Sequence, residues 1–135
     1  MRRLAGTVSK GFGYASGNLK GVMLLIEQRM GLQGLVEGTL NVKIAEEYIV
    51  EADTVISREE YGLDEALKLK RCVILGRKAI IMRPEKHEST PGFGHGKTCL
   101  ELVGCVHFRQ TFGLRDGSQV TVEVEGDEQW WAAAQ

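Results

Sequence analysis

The sequence predicts a mainly β protein, a small barrel carrying one amphipathic helix. Three observations lead there. Short apolar stretches recur along the chain, Gly-rich turns separate them, and only one stretch of the 135 residues repeats at helical spacing. Nothing alternates strand with helix as a doubly wound dinucleotide fold requires.

The opening "RLAGTV" reads as a strand and runs into "SKGFGYASGN", a Gly/Ser/Asn-rich loop. Asn18 is placed to cap the helix that follows, in which Val22, Leu25, Ile26 and Met30 share a face and Gly31 and Gly34 supply the stop. This helix is expected to close one end of the barrel. "GTLNVKI" and "EYIV" read as the next strands, and "SREEYGLDEALKLK" as a charged, turn-like stretch. "RCVILG" and "KAIIMR" suggest a hairpin turning at Gly76 and Arg77. After the loop "PEKHESTPGFGHG" come the strand "KTCLELVGCVHF", the short helical "RQTFGL", the turn "RDGS" and the strand "QVTVEVEG". Residues 1–126 are expected to form a single barrel domain, with 127–135 a C-terminal tail that is either disordered or docked.

Composition excludes several function classes. Basic and acidic residues number 17 and 18, a formal charge of −1, so no polyanion-binding surface and no nucleic-acid partner are expected. The longest apolar run, Val22 to Ile26, falls far short of a membrane span, and no charged-then-apolar signal segment opens the sequence. A soluble cytoplasmic protein without a membrane partner is the expectation. Cys72, Cys99 and Cys105 lie in apolar strand-like segments without metal-site spacing, and are expected to be buried reduced thiols.

Three stretches offer chemistry. "GFGYASG", Gly11 to Gly17, lies between a strand and a helix, where glycines let the backbone approach a ligand and successive N–H groups suit phosphate oxygens. A plain connecting loop is the alternative. "GFGHGKT", Gly92 to Thr98, is not a Walker A loop: counting back from Gly96 to the motif's first glycine lands on Pro91, and a strand follows where a helix should begin. It reads as a lid, with His87 and His95 as loop histidines. Finally, Thr39 and Asn41 in "EGTLNV" are two apart on a strand, pointing neutral oxygens to one side. Mg²⁺ binds through a few protein oxygens plus phosphates and waters, so such a pair suffices when a nucleotide supplies the charge. A polar pair on a solvated face is the other reading.

"GTLNV" after a helix, joined to "CLELVGCVHFRQTFGLRDGSQVTVEVEGD", resembles the archaeal-type CTP-dependent riboflavin kinase family. The order and spacing of a glycine-rich loop, a helix, Gly-Thr-Leu-Asn, an Arg-Pro segment and a Leu-Glu strand are similar from about Thr7 to Val124. The resemblance implies a six-stranded cradle-loop-like β-barrel that transfers the γ-phosphate of CTP to the 5′-hydroxyl of riboflavin, giving FMN and CDP. It implies Mg²⁺ on Thr39 and Asn41. Gly11, Phe12, Gly13, Tyr14, Ala15 and Ser16 fall on the phosphate cradle, and Val106, His107, Phe108 and Arg109 on the segment that holds the cytidine nucleotide. Glu101 falls on a flavin-side glutamate and is the candidate base. His87 meets the family's flavin-contacting Thr in a gapless match. Tyr14 and Ala15 depart from the family's Gly-x-Gly-Glu-Gly, and Gly104-Cys105 from its Ala-Pro. A barrel of the same fold that binds nucleotide or flavin without catalysis is the alternative.

Overall fold

The structure, a computed structural model, describes residues 1–10, 19–62, 64–90 and 96–135. Among these, seven strands form one antiparallel sheet: β1 (Arg2–Ser9), β2 (Leu40–Ile44), β3 (Thr54–Ile56), β4 (Leu67–Ile74), β5 (Arg77–Pro84), β6 (Cys99–Gly104) and β7 (Gln119–Val124). Their order is β3-β4-β5-β6-β2-β1-β7, and a further β4–β7 pairing closes six of them into a barrel. Strand β4 carries the closure. Its first half pairs with β3 through Thr54↔Leu69, and its second half with β7 through Cys72↔Val124.

Period-2 alternation sorts the side chains into two apolar clusters. Inside the barrel lie Leu4, Val42, Ile74, Ile81, Leu102 and Val122, each at most 1% exposed. On the outer face of β4, β5 and β6, a second cluster unites Leu69, Ile80, Met82 and Val103 with Val22, Ile26 and Met30 of helix α1 (Leu19–Met30). The helix thus covers the outside of the sheet instead of closing an end, because the strand residues it meets alternate outward from those that fill the interior. Tyr61 of α2 (Arg58–Tyr61) and Trp130 of α5 (Asp127–Ala132) join this outer cluster. The tail is therefore docked, and Ala134 fastens it by bonds to the backbone of Gly76 and Lys78. No helix among the described residues is long and apolar enough to cross a membrane. The Asn18 cap lies outside the described residues.

Three local expectations change. The hairpin turns at Leu75 and Gly76, one residue earlier than expected, with Ile74 opposite Arg77. Both turn residues have positive φ (53° and 74°), as a two-residue primed turn requires. "EYIV" is not a strand. Tyr48 and Val50 are buried in the interior cluster, but their backbone is held by other groups: Arg83 Nη1 donates to Tyr48 O (2.7 Å), Lys68 Nζ donates to Val50 O (2.9 Å), and Val50 N donates to Glu88 Oε2 (2.9 Å). Within "SREEYGLDEALKLK", Ser57 and Glu60 form a capping box that starts α2, and β4 begins at Leu67. All three cysteines are free; Cys72 and Cys99 are buried and Cys105 is half-buried.

Candidate functional site

Strand pairing brings three of the expected site residues together. In the β2–β6 register Asn41 faces Glu101, and in the β5–β6 register Met82 faces Glu101 from the other side. Leu100 and Leu102 fill the interior, so Glu101 is directed outward, next to Asn41. Thr39, just before β2, donates from Oγ1 toward Glu101 Oε1 at 3.4 Å, and Asn41 Nδ2 approaches Thr39 Oγ1 at 3.5 Å. Both are longer than a strong hydrogen bond. A hydroxyl, an amide and a carboxylate thus converge loosely at the junction of β2 and β6.

Burial governs the electrostatics here. It pushes the Glu101 carboxyl above the usual glutamate range, and the bond from Thr39 opposes it only partly. Cys99, whose Sγ lies 3.9 Å from Asn41 Oδ1, is raised to about 11, by burial first and then by the Glu101 charge. The Tyr61 hydroxyl is raised to about 12 by burial and next by the Glu101 charge. Asn41 is 7% exposed, so it is buried and not on a solvated strand face.

The oxygen set fits a hard cation. Among the described residues no three His, Cys, Asp or Glu side chains group as metal ligands. A cation here would rest on Thr39 Oγ1 and the Asn41 amide oxygen, with water or phosphate completing its shell. Oδ1 of Asn41 now faces Cys99, and a half-turn of the amide brings it to the Thr39 side.

Thr39 is shared with a second feature. Gly38, Thr39 and Leu40 form one wall of a cleft of about 260 Å³, and Val106, His107, Phe108, Arg109 and Gln110 form the other. The last three begin helix α4 (Phe108–Phe112), for which His107 is the N-cap. Phe108 is buried in the interior cluster, and a Cβ on Gly104 would stand 2.7 Å from its ring, so the glycine permits the helix to seat this closely. The segment expected to hold a nucleotide and the residue expected to hold a metal therefore line the same space.

Arg109 is committed within this wall. Its Nη2 donates to Asp116 Oδ1 at 2.6 Å and to Ser9 O at 3.2 Å, joining α4 to the end of β1. The loop Gly11, Phe12, Gly13, Tyr14, Ala15 and Ser16 lies outside the described residues, as does His95. His87 is not an exposed loop residue. It is 7% exposed within α3 (Lys86–Ser89), a helix that begins shortly after the β5 strand that flanks Glu101.

Beside it, the Arg83 of the Arg-Pro segment has a structural task. Its guanidinium is 1% exposed and meets Glu88 Oε2 at 2.8 Å, while Lys68 Nζ meets Glu88 Oε1 at 2.5 Å. Burial raises the Glu88 carboxyl, but Lys68, the Val50 N–H and Arg83 outweigh it and hold it below the usual range. Tyr61 and Asp116 were not singled out from the sequence. The capping box before Tyr61 was a readable signal for its helix, whereas the Asp116 contact spans the fold.

A family model labelled CTP-dep_RFKase, and described as a domain of unknown function, DUF120, matches residues 8–124. The riboflavin kinase of Pyrobaculum arsenaticum is 32% identical over 133 residues, covering 90% of this chain and 60% of that protein. The riboflavin kinase of Methanocella arvoryzae is 30% identical over 92 residues, covering 65% of this chain and 40% of that protein. The chain thus spans 60% or less of the length of the relatives it matches.

Proposed function

The chain belongs to the CTP-dependent riboflavin kinase family, and we propose that it transfers the γ-phosphate of CTP to the 5′-hydroxyl of riboflavin, giving FMN and CDP. The observation that carries this reading is the cleft shared by Gly38–Leu40 and Val106–Gln110, with Asn41 and Glu101 paired across strands at its Thr39 side. Phosphoryl transfer asks a protein mainly to align donor and acceptor and to neutralise charge on the transferring group, which such a site can do.

In this reading Val106, His107 and Phe108 hold the cytidine through backbone groups lining the cleft, and Arg109 supplies positive charge beside the phosphates. Gly11 to Ser16, which follow the end of β1, cradle the phosphate oxygens. Thr39 and Asn41 would hold Mg²⁺, with Glu101 within reach; when bound, the ion neutralises phosphate charge and orients the γ-phosphoryl group. Glu101 orients the riboflavin 5′-hydroxyl and accepts its proton as the oxygen bonds to γ-phosphorus and the bond to the β-phosphate bridging oxygen breaks. Its raised proton affinity suits that task. His87 is assigned to the flavin side, since α3 follows the strand whose Met82 faces Glu101. Residues 1–126 would act as the catalytic barrel, and 127–135 as its docked tail.

Asp116 and Ser9 hold the Arg109 guanidinium at the cleft wall. A backbone-amide NMR titration with CDP and Mg²⁺, then riboflavin, tests the site. CDP should shift Gly38–Asn41 and Val106–Gln110, and riboflavin should add shifts around Glu101. A second groove is lined by Ala5, Lys43 and Thr121 among others, and shifts confined to it would displace the site.

A further inference from the structure

Resting on the reading above, we propose that Asp116 is a positioning residue for the nucleotide site, holding Arg109 between the cleft wall and the root of the glycine loop. Nothing in the cleft lining itself includes Asp116. It acts from the turn that joins α4 to β7, through a second side chain.

That turn is a fixed point. Gly117 N donates to Val8 O at 2.7 Å and Val8 N donates to Ser118 O at 2.8 Å, so two bonds to Val8 pin the turn to β1. Arg115 N also donates to Ser118 Oγ at 2.8 Å, and Ser118 N to Arg115 O at 2.9 Å. Asp116 is therefore mounted on rigid backbone.

Arg109 has a long stem, and left alone it samples many rotamers. Its Nη2 bonds to Asp116 and to the Ser9 carbonyl set the guanidinium plane, because the fork is rigid. Ser9 ends β1, immediately before Lys10 and the glycine loop. One carboxylate thus orients the cationic group of one cleft wall and ties the phosphate loop's starting point to that wall. Because the pair is 40% and 48% exposed, it adds little to folding stability, which separates a positioning role from a structural one.

The test is Asp116→Asn in the full chain, measured by titration calorimetry with CDP and Mg²⁺, by riboflavin fluorescence quenching and by thermal melting. Loss of preorganisation should weaken CDP binding by about tenfold, with riboflavin affinity changed by less than about twofold and melting nearly unaltered. Asp116→Glu, which keeps the charge, should recover part of the loss. In an Arg109→Ala background, Asp116→Asn should cost nothing more, since both act through one contact. Wild-type CDP affinity in Asp116→Asn, additive losses in the double variant, or equal losses for CDP and riboflavin would each overturn the proposal while leaving the kinase reading standing. A wild type that binds no CDP would overturn both.

Discussion

Replacing Glu101 by Gln should separate catalysis from stability in opposite directions. The side chain keeps its shape and its contact with Thr39 Oγ1 at 3.4 Å, but loses its charge and its basicity. A positioned base contributes about 10²–10⁴-fold, so turnover should fall at least ~10²-fold, about 2.7 kcal/mol of transition-state stabilisation. Riboflavin affinity should stay within about tenfold, because a group used mainly in the transition state affects kcat more than binding. Stability moves the other way. Burial raises the folded-state pKa of Glu101 above its ordinary 4.5, so the protonated form favours folding and that contribution is lost as pH rises through the folded value. At neutral pH the ionised carboxylate destabilises the fold. Glu101→Gln should therefore melt higher than wild type at pH 7, with the gap closing as pH falls toward the ordinary glutamate range. The acid limb of the wild-type rate profile should likewise lie above that range. Paired melting curves and FMN-formation rates from pH 4 to 8 check both halves. Wild-type turnover in the variant excludes Glu101 as the base, and a lower melting temperature at pH 7 refutes the burial argument.

Asn41→Ala should abolish most turnover with a small melting shift, since its described contacts, at 3.5 and 3.9 Å, are long and weak; global unfolding would make the residue structural. Glu88→Ala leaves the buried Arg83 unpaired and should cost about 3 kcal/mol by urea titration. In wild type the depressed Glu88 pKa contributes stability above the ordinary value that is lost as pH falls through the folded one, so Glu88→Ala should flatten the acid edge of the stability profile. Gly104→Ala places a Cβ 2.7 Å from the Phe108 ring, and should shift α4 and weaken CDP binding more than riboflavin binding; equal affinities would show that the ring adjusts without moving the cleft.

The barrel strands were legible where inward apolar residues alternate with polar ones, as in "LNVKI", "QVTVEV" and the Leu-Glu-Leu of "CLELVG", although helix packing buries the other face of β6 as well. The same pattern placed Glu101 outward from its leucine neighbours. Other features are decided by contacts across the fold. "EYIV" looks like a strand because Tyr48 and Val50 are buried, yet side chains of Lys68, Arg83 and Glu88 take the place of a neighbouring strand. The hairpin turn was misplaced by one residue because Leu75, at φ 53°, is an unusual occupant of a left-handed position. Helix α1 shows its apolar face in sequence, but not which surface it will cover. His87 looks like an exposed loop histidine until α3 buries it, and Asp116 gains its meaning only when β7 returns beside β1. Thr39 and Asn41 were readable as a pair; their approach to Glu101 required the register of two further strands.

The most direct test is to incubate the purified chain with riboflavin, Mg²⁺ and one nucleoside triphosphate at a time, and to quantify FMN. A site built to hydrogen-bond one base leaves buried groups unpaired with another, so CTP should exceed ATP, GTP and UTP clearly in kcat/KM. CDP should appear in step with FMN. FMN formed equally well from ATP would contradict the nucleotide assignment, and no FMN from any of the four would contradict the kinase itself.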